Sequence, residues 1–293
     1  MEEQRGNPVL LYAGAIHDSS VRVLYECLRR RGRCEQLDLV LSTAGGSITT
    51  TRQVALLLRE FTRRLTIIVP YRAWSAGTLL CLSGDELVLG PMAQLGPIDS
   101  HLAAAAEPPP GAPGMVSAED IRTFRQMAED WFGVCREEDR LQVLALVAQR
   151  IFPATLASFY RFDYMVRQIA HELLRFQLPE EAEEVRQRIV DQLVSGYHAH
   201  DFVLSRVDVR DLGLRVSFAS EKEEEQMWSL SQRCRGETPE HPGAGQGEEV
   251  VGIVASGGFF AREVHRWSGP PGGQGSGTDW SGAVPQSRWE IDQ

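Results

Sequence analysis

Short apolar runs alternate with amphipathic helical patterns over the first 100 residues, and this alternation constrains the fold more than any other feature of the sequence. The strand-length runs, rich in Leu, Val and Ile, are residues 9–13, 37–41, 65–69 and 86–89. Between them, apolar residues recur at helical spacing from Val21 to Leu28 and from Val54 to Phe61. This order is typical of a parallel sheet with crossover helices, so the sequence predicts an α/β fold.

The rest of the chain divides by composition. A Pro-rich stretch near 102–116 predicts an exposed loop, and the pattern over 117–196 is helical almost throughout. We therefore expect one domain over residues 1–220. The charged and Gly/Pro-rich residues 221–293 predict a mostly disordered tail, in which 250–260 is apolar enough to dock as a strand. Deletion of residues 236–293 is expected to leave the fold intact.

Charge and cysteine content exclude several classes of protein. A net charge of −10 argues against nucleic-acid binding, which draws its affinity from clustered Lys and Arg. Five scattered cysteines, without a CxxC pair, indicate neither a disulfide framework nor a zinc site. The start MEEQRGNPVL is acidic, and no apolar run of about 18 residues follows, which disfavours secretion and membrane spanning. We expect a cytoplasmic protein that binds neither nucleic acid nor membrane.

Two glycine-bearing junctions follow predicted strands. They are Ser42-Thr43-Ala44-Gly45-Gly46-Ser47 and Ala73-Trp74-Ser75-Ala76-Gly77-Thr78. In a parallel sheet such junctions meet at one edge, where the backbone N–H groups that start helices lack partners and can bind an anion. Both junctions are therefore expected to contribute to one site.

Acyl transfer needs a hydroxyl on a tight turn and two backbone donors aimed at the developing oxyanion. Ser75 is the candidate nucleophile, and the N–H groups of Gly45 and Ala76 are the candidate donors, with Gly46 in the same loop. The spacing alone is equally explained by packing glycines and by Ser75 acting as an ordinary helix N-cap. This alternative stays open at the level of the sequence.

The motifs together resemble a known superfamily. The run LDLVLSTAGGSITTTRQVALLLREFTRRLTIIVPYRAWSAGTLLCLSGDELVLGPMAQLGPIDSHL resembles the core of the ClpP/crotonase superfamily, and its branch called serine dehydrogenase proteinases most. A second stretch, GYHAHDFVLSRVDVRDLGLRV, is similar to another segment of that branch. The similarity covers roughly residues 35–217. It departs from the pattern at Ala44, where ClpP-like peptidases often carry proline.

The resemblance implies a ClpP/crotonase-like ββα superhelix followed by a helical C-terminal half. It also implies a serine peptidase that cleaves peptides or unfolded proteins through an acyl-enzyme on Ser75, with a backbone oxyanion hole and no cofactor. Such a peptidase is either independent of ATP or fed by a partner protein. A homo-oligomer is expected, because the helical region 117–196 carries more apolar surface than one sheet face needs.

Three histidines are candidates for the general base. A ClpP-like triad places a histidine after the strand and turn that follow the nucleophile helix, and His101 lies 26 residues after Ser75. His198 and His200, in the motif YHAHD, are the alternatives, with Asp201 beside them as a carboxylate that could orient the ring. His101 is the predicted base because of its position along the chain.

Lysine chemistry is excluded, because Lys222 in EKEEE is the single lysine of the chain. A Ser/Lys dyad or a pyridoxal-phosphate Schiff base would need a desolvated lysine near the site. Two other functions stay open. One is a catalytically inactive ClpP-like scaffold that binds a partner, and the other is a crotonase-type acyl-CoA enzyme that uses the same N–H donors.

Overall fold

The computed structural model describes residues 1–98, 101–103, 115–134, 136–237, 248–266 and 286–292. The strands are β1 (Val9–Gly14), β2 (Cys34–Ser42), β3 (Thr62–Val69), β4 (Arg72–Ala73), β5 (Glu86–Leu89), β6 (Gln94–Leu95), β7 (His101–Ala103), β8 (Met115–Ser117), β9 (Leu204–Ser205), β10 (Val216–Phe218), β11 (Glu248–Ser256), β12 (Phe259–Arg266) and β13 (Gln286–Ile291). The helices are α1 (Glu2–Arg5), α2 (Asp18–Arg31), α3 (Ile48–Phe61), α4 (Ala76–Cys81), α5 (Ala118–Phe132), α6 (Glu137–Arg150), α7 (Pro153–Gln177), α8 (Glu183–Ser195), α9 (Arg206–Asp211) and α10 (Glu221–Glu237).

An eight-stranded sheet in the order β10-β5-β3-β2-β1-β11-β12-β13 organises the described residues. The strands from β10 to β1 run parallel, and β11, β12 and β13 are added antiparallel. The apolar runs of β2, β3 and β5 are almost entirely buried, as expected for strands covered on both faces, whereas β1 buries Leu10, Tyr12 and Ala13. The prediction of an α/β fold with crossover helices is confirmed.

The region 117–196, for which the sequence predicts helices, contains α5 to α8. Helix α7 packs against α3, α4 and α8. The side chains that it buries at this contact share one face of the helix and are Val166, Ile169, Ala170, Leu173 and Leu174. This packing covers the side of the sheet on which the two glycine-bearing junctions begin their helices.

The expectation of a mostly disordered tail is wrong for the described parts of residues 221–293. Helix α10 packs Met227 against the sheet face formed by Val40, Ile68 and Val88. Strand β11, in the segment 250–260 for which the sequence predicts docking, pairs with the edge strand β1, with Tyr12 opposite Val254. Residues 238–247 and 267–285, where most of the Gly/Pro-rich sequence lies, are outside the described residues.

The physical reason for the correction is the edge of β1. Without β11 this edge would expose unpaired backbone groups, which a short neighbouring strand can satisfy even when its flanking sequence has low complexity. The strands β11 and β12 also bury Ile253, Val254, Phe259, Ala261 and Val264. The C-terminal half is consequently helical and stranded, rather than helical only.

The Pro-rich loop near 102–116 is described only at its two ends. Strands β7 and β8 pair antiparallel there, with His101 opposite Ser117. Residues 104–114 are outside the described residues. Among the described helices, none by itself has the length and hydropathy needed to cross a membrane, although α6 and α7, bent against each other, meet that test as a pair.

The sheet leads to a prediction about the C-terminal strands. Truncation after residue 247 is expected to abolish cooperative folding, because it uncovers the β1 edge and removes buried side chains that each contribute about 1.5–3 kcal/mol. Val254→Asp should act in the same direction, since Val254 is 0% exposed and a charge there would be unpaired. Arg262→Ala, at an exposed position of β12, is the control. Thermal unfolding followed by circular dichroism checks this, and a truncated chain with the full-length melting temperature would contradict it.

Candidate active site

The loop after β2 is held by backbone hydrogen bonds to the segment after β1. Ile16 N–H donates to the Gly45 carbonyl at 2.9 Å, and Ser47 N–H donates to the Ile16 carbonyl at 2.7 Å. Gly46 has a φ of 144°, and a Cβ added there would lie 2.2 Å from the Ile16 oxygen. No residue except glycine fits this approach of two backbones.

The same loop contacts the turn that carries Ser75. Thr43 N–H donates to the Arg72 carbonyl at 2.9 Å, and Trp74 N–H donates to the Thr43 carbonyl at 3.1 Å. A Cβ added to Gly45 would lie 3.2 Å from Ser75 Cβ and 3.5 Å from the Ala76 nitrogen. The two junctions, which are 30 residues apart in sequence, therefore meet with their backbones in contact.

Ser75 has an unusual backbone conformation. Its φ of 50° and ψ of −112° make it the one non-glycine residue with positive φ in the described part of the chain. These angles belong to the first central position of a type II′ turn, and the Gly77 N–H closes that turn on the Trp74 carbonyl at 2.8 Å. A residue other than glycine in this conformation costs about 1–3 kcal/mol, and such residues cluster at functional sites.

The hydroxyl of Ser75 does not cap the helix that it precedes. Ser75 occupies the N-cap position of α4, yet its side chain makes no capping hydrogen bond. The Ser75 side chain is half-buried and its hydroxyl makes no hydrogen bond to another described residue, whereas its backbone carbonyl accepts from the Leu79 N–H at 3.0 Å. The interpretation of Ser75 as an ordinary N-cap is therefore wrong. Instead, a strained turn between a strand and a helix presents the hydroxyl, as in a nucleophile elbow.

Two neighbours support the strained turn. A Cβ on Gly77 would lie 2.5 Å from Thr43 Cγ2, so glycine lets α4 pack directly on the loop after β2. The buried Thr78 hydroxyl donates to the Ala73 carbonyl at 2.8 Å and accepts from the Gly96 N–H at 3.0 Å. The two sequence motifs contain Thr43 and Thr78 but indicate no role for them, because threonine in a buried turn has no distinctive pattern.

The backbone donors differ in part from the prediction. Gly45 N–H donates to Thr43 Oγ1 at 3.0 Å and is therefore occupied within the loop. The N–H groups of Gly46 and Ala76 make no hydrogen bond to a described residue. The N–H groups of Gly46 and Ala76, rather than those of Gly45 and Ala76, are therefore the pair without an acceptor among the described residues, and they are available to bind an oxyanion.

The three candidate histidines lie on two different segments of the chain. The side chain of His101 is outside the described residues, although the backbone of β7 is described. His198 and His200 are exposed and lie in the segment between α8 and β9. Strand β9 pairs with β6, which pairs in turn with β4 next to the turn of Ser75. The long helical region thus returns the YHAHD motif to the site.

Contacts around Gly96 show how close this return is. A Cβ on Gly96 would lie 3.7 Å from Trp74 Cβ and 3.7 Å from the Phe202 carbonyl oxygen. Phe202 also stacks on Tyr197, with ring centroids 4.7 Å apart. The residues between these two aromatic rings, which include both histidines, therefore loop out beside Trp74, the neighbour of Ser75.

Two groups near the site have shifted pKa values. Cys81, the nearby thiol on α4, is fully buried, and burial raises its pKa far above the usual value, so it stays neutral. On the returning segment, hydrogen bonds from the Ser205 side chain and N–H lower the pKa of Asp208. The ionised Asp208 completes a capping box with Ser205 and fixes the start of α9 next to β9.

Comparison with known proteins finds a family match for the segment that carries Ser75. Residues 6–117 match the family of ClpP-like SDH-type serine proteinases, so the resemblance read from the sequence is confirmed. Two uncharacterized proteins of Methanocaldococcus jannaschii are similar to the chain. One is 25% identical over 193 residues, which are 66% of this chain and 57% of the relative. The other is 26% identical over 181 residues, which are 62% of this chain and 52% of the relative.

This chain spans about half the length of the curated relatives that it matches. Among solved structures, a mutant of the 1510-N membrane-bound stomatin-specific protease is similar at 12% sequence identity, with a TM-score of 0.44. That alignment covers 75% of this chain and 82% of the other chain.

The strained turn predicts that two substitutions of Ser75 differ in melting temperature. Ser75→Gly relieves the positive-φ strain and Ser75→Ala does not, so the glycine variant should melt about 2–4 °C higher than the alanine variant for a strain of about 1 kcal/mol. Ser158, within helix α7, is the control. There the glycine variant should be the less stable of the pair. Equal melting temperatures of the two Ser75 variants would contradict the strain.

Proposed function

We propose that this chain is a ClpP-like serine peptidase that cleaves peptide bonds through an acyl-enzyme on Ser75. The observation that carries the proposal is the backbone of Ser75, which is strained at a turn between a strand and a helix and lies against Gly45. The match of residues 6–117 to a proteinase family supports a protease function in general. We also propose that the parallel ladder β2-β3-β5 belongs to a ClpP/crotonase-type ββα superhelix.

The proposed reaction needs no cofactor. The Ser75 oxygen attacks the carbonyl carbon while an imidazole takes the hydroxyl proton, and the N–H groups of Gly46 and Ala76 stabilise the oxyanion. The imidazole then gives the proton to the leaving amine, which leaves the acyl group on Ser75. A water molecule repeats the same steps and releases the carboxylic acid. Short, unstructured peptides are the proposed substrates, because they can reach a strand-end turn without being unfolded by an ATPase.

The general base stays a prediction. His101 follows the nucleophile helix most directly along the chain and is our first assignment. The pairing of β9 with β6 supports His198 and His200 as alternatives, because it brings their segment beside Trp74. A base must reach about 2.6–3.2 Å from the hydroxyl, often only after substrate binds.

A second candidate function is a non-catalytic, partner-binding subunit with the same fold. The observation that favours it is that the Ser75 hydroxyl has no hydrogen bond to any imidazole among the described residues. A strained residue lowers the stability of the fold, and such residues are usually retained where they have a functional role. A non-catalytic scaffold has no use for a strained turn at Ser75, whereas an enzyme does. We therefore rank the peptidase first.

We further propose that the protein forms a homo-oligomer through helices α5 to α7. Five aromatic side chains between residues 131 and 164 are 65–76% exposed, and they are Trp131, Phe132, Phe152, Tyr160 and Tyr164. Soluble proteins seldom expose aromatic residues in such density without covering them. The acidic first turn of α6, with Glu137, Glu138 and Asp139, follows Trp131 and Phe132 closely in sequence and would contribute to the polar rim of such an interface.

The nucleophile and the base are tested by activity. Ser75→Ala should abolish cleavage of unstructured peptides while its melting temperature stays close to that of the wild type, and a fluorophosphonate should modify Ser75 in the wild type. His101→Ala should lower turnover to the same extent, and the double variant should be no worse, because one step is disabled. His171→Ala, on helix α7, is the matched control.

The outcomes separate the two candidate functions. If His198→Ala or His200→Ala is the severe variant, the base moves to the YHAHD segment. If the wild type neither cleaves peptides nor reacts at Ser75, the peptidase proposal is overturned in favour of the partner-binding subunit. Peptide cleavage retained by a clean Ser75→Ala preparation would overturn the nucleophile assignment.

Assembly is tested by light scattering coupled to size-exclusion chromatography at micromolar concentration. The wild type should elute as a multiple of the monomer mass, and the double variant Trp131→Ser with Phe152→Ser should shift toward the monomer. Trp228→Ser is the matched control, because Trp228 is also exposed but lies on α10. A monomeric wild type would contradict the proposed interface.

A further inference from the structure

A buried carboxylate lies outside the Ser75 site and joins the C-terminal strands to the start of α2. Glu263, on β12, is 1% exposed. One carboxylate oxygen lies 2.8 Å from His17 Nε2, and the other accepts a hydrogen bond from the Ser287 hydroxyl at 2.8 Å. His265 Nε2 lies 3.5 Å from that second oxygen. Buried charges are rare without such partners.

The charge state of Glu263 fixes the tautomer of His17. Burial raises the pKa of Glu263, but the hydrogen bonds from His17 and Ser287 and the two nearby imidazoles outweigh it, so that the pKa lies below its usual value. An ionised carboxylate can only accept hydrogen bonds, so Nε2 of His17 carries the proton. In the neutral ring, Nδ1 of His17 is therefore a proton acceptor.

Ser19 lies at that acceptor. Its hydroxyl oxygen is 3.0 Å from His17 Nδ1, and with Nδ1 unprotonated the hydroxyl must be the donor. The Trp289 indole N–H, from β13, also donates to the Ser19 oxygen at 2.8 Å. Ser19 is exposed and His17 half-buried, so solvent reaches the hydroxyl while the carboxylate behind the ring is dry.

This order of groups is a hydroxyl, an imidazole and a buried carboxylate in hydrogen-bonded sequence. The carboxylate holds the ring in the tautomer that accepts the hydroxyl proton and stabilises the imidazolium that results, which is the division of labour in a serine hydrolase triad. His17 and Ser19 lie at the start of helix α2, where serine is common as a capping residue, so no sequence pattern marks the arrangement. Glu263, which supplies the carboxylate, lies 244 residues after Ser19 in the sequence.

We propose that Ser19, His17 and Glu263 form a second hydroxyl-activating site, separate from Ser75, that accepts acyl groups from small carboxylic esters. The Ser19 oxygen bonds to the ester carbonyl carbon, and its proton moves to His17 Nδ1. Collapse of the intermediate breaks the bond to the alcohol oxygen, which leaves with that proton. Water then hydrolyses the acyl-serine through the same proton transfers and regenerates the hydroxyl.

The surroundings favour small esters over polypeptides. The Trp289 indole N–H already points at the Ser19 oxygen and can donate to an oxyanion formed on the adjoining carbon. At the start of α2 the Ser20 N–H donates to the His17 carbonyl at 2.9 Å, and the N–H groups of Asp18 and Ser19 have no carbonyl acceptor among the described residues. One edge of the indole ring packs on Gly252, where an added Cβ would lie 3.2 Å from Trp289 Cη2. The apolar surface beside Ser19 that could contact a substrate is therefore about one aromatic ring in width.

The experiment uses the full chain with Ser75→Ala, so that the two serines are read separately. A fluorophosphonate probe is added, and the modified residue is located by mass spectrometry of peptides. Ser19 should be modified, and adding His17→Gln should slow this modification by about 100-fold, the scale of general-base assistance. Glu263→Gln should slow it as well while keeping the side-chain volume. Ser158, which bonds only a backbone carbonyl and the Arg161 side chain, is the internal control and should stay unmodified.

The result is independent of the peptidase proposal, because modification of Ser75 is measured in the chain that retains Ser75. If Ser19 is not modified in the Ser75→Ala chain, or is modified equally fast in His17→Gln, the second site is overturned and the cluster is a structural link between α2 and the C-terminal strands. Circular dichroism of each variant at the labelling temperature verifies that the chain is folded. If Glu263→Gln unfolds, the comparison between Ser75→Ala alone and with His17→Gln decides the proposal.

Discussion

The candidate site depends on backbone hydrogen bonds that continue beyond the carboxyl ends of β1, β2 and β3. Ile16 bonds both Gly45 and Ser47, and Thr43 bonds both Arg72 and Trp74. Loops at strand ends usually separate once the ladder stops, because their side chains spread outward. Here three successive loops stay paired, so the position of Ser75 relative to the glycine loop is set by main-chain atoms, and few side-chain substitutions can move it.

That close pairing requires the absence of side chains at three places. Gly46 approaches Ile16, Gly45 approaches Ser75, and Gly77 approaches Thr43, each within distances that a Cβ would occupy or crowd. The same crowding has a functional consequence, because it forces the turn at Ser75 into a conformation that serine seldom adopts. The strained turn that presents the Ser75 hydroxyl lowers the stability of the fold locally. The buried apolar side chains of the surrounding parallel sheet offset this loss.

The C-terminal strands are part of this framework and not an appendage to it. Strand β11 satisfies the open edge of β1, and Glu263 on β12 anchors His17 immediately after Ile16. The residue that positions the glycine loop and the residue that binds the buried carboxylate are therefore neighbours in sequence. Gly14 and Gly252 face each other across β1 and β11, and an added Cβ on Gly14 would lie 2.8 Å from the Gly252 Cα, so the two strands approach closely at this point.

The sequence by itself determined the parallel strands, the crossover helices and the two turns that face each other, because these follow from local periodicity and from glycines at strand ends. It placed Ser75, Gly46 and Ala76 in these two turns for the same reason. It failed for the C-terminal strands, since composition averaged over Gly/Pro-rich neighbours concealed short segments whose partner, β1, lies at the other end of the chain. It also assigned the first oxyanion donor to Gly45, whose N–H the folded loop uses internally.

Only the tertiary structure decided which groups meet across long sequence separations. The return of the YHAHD segment to Trp74, the strain at Ser75 and the contact of Ser19 and His17 with Glu263 all depend on the order of strands in the sheet. Strand order is set by the pairing of whole edges, and the free energy of that pairing is distributed over many buried residues. No local pattern encodes it, so the spatial neighbours of each serine become known only once the sheet is assembled.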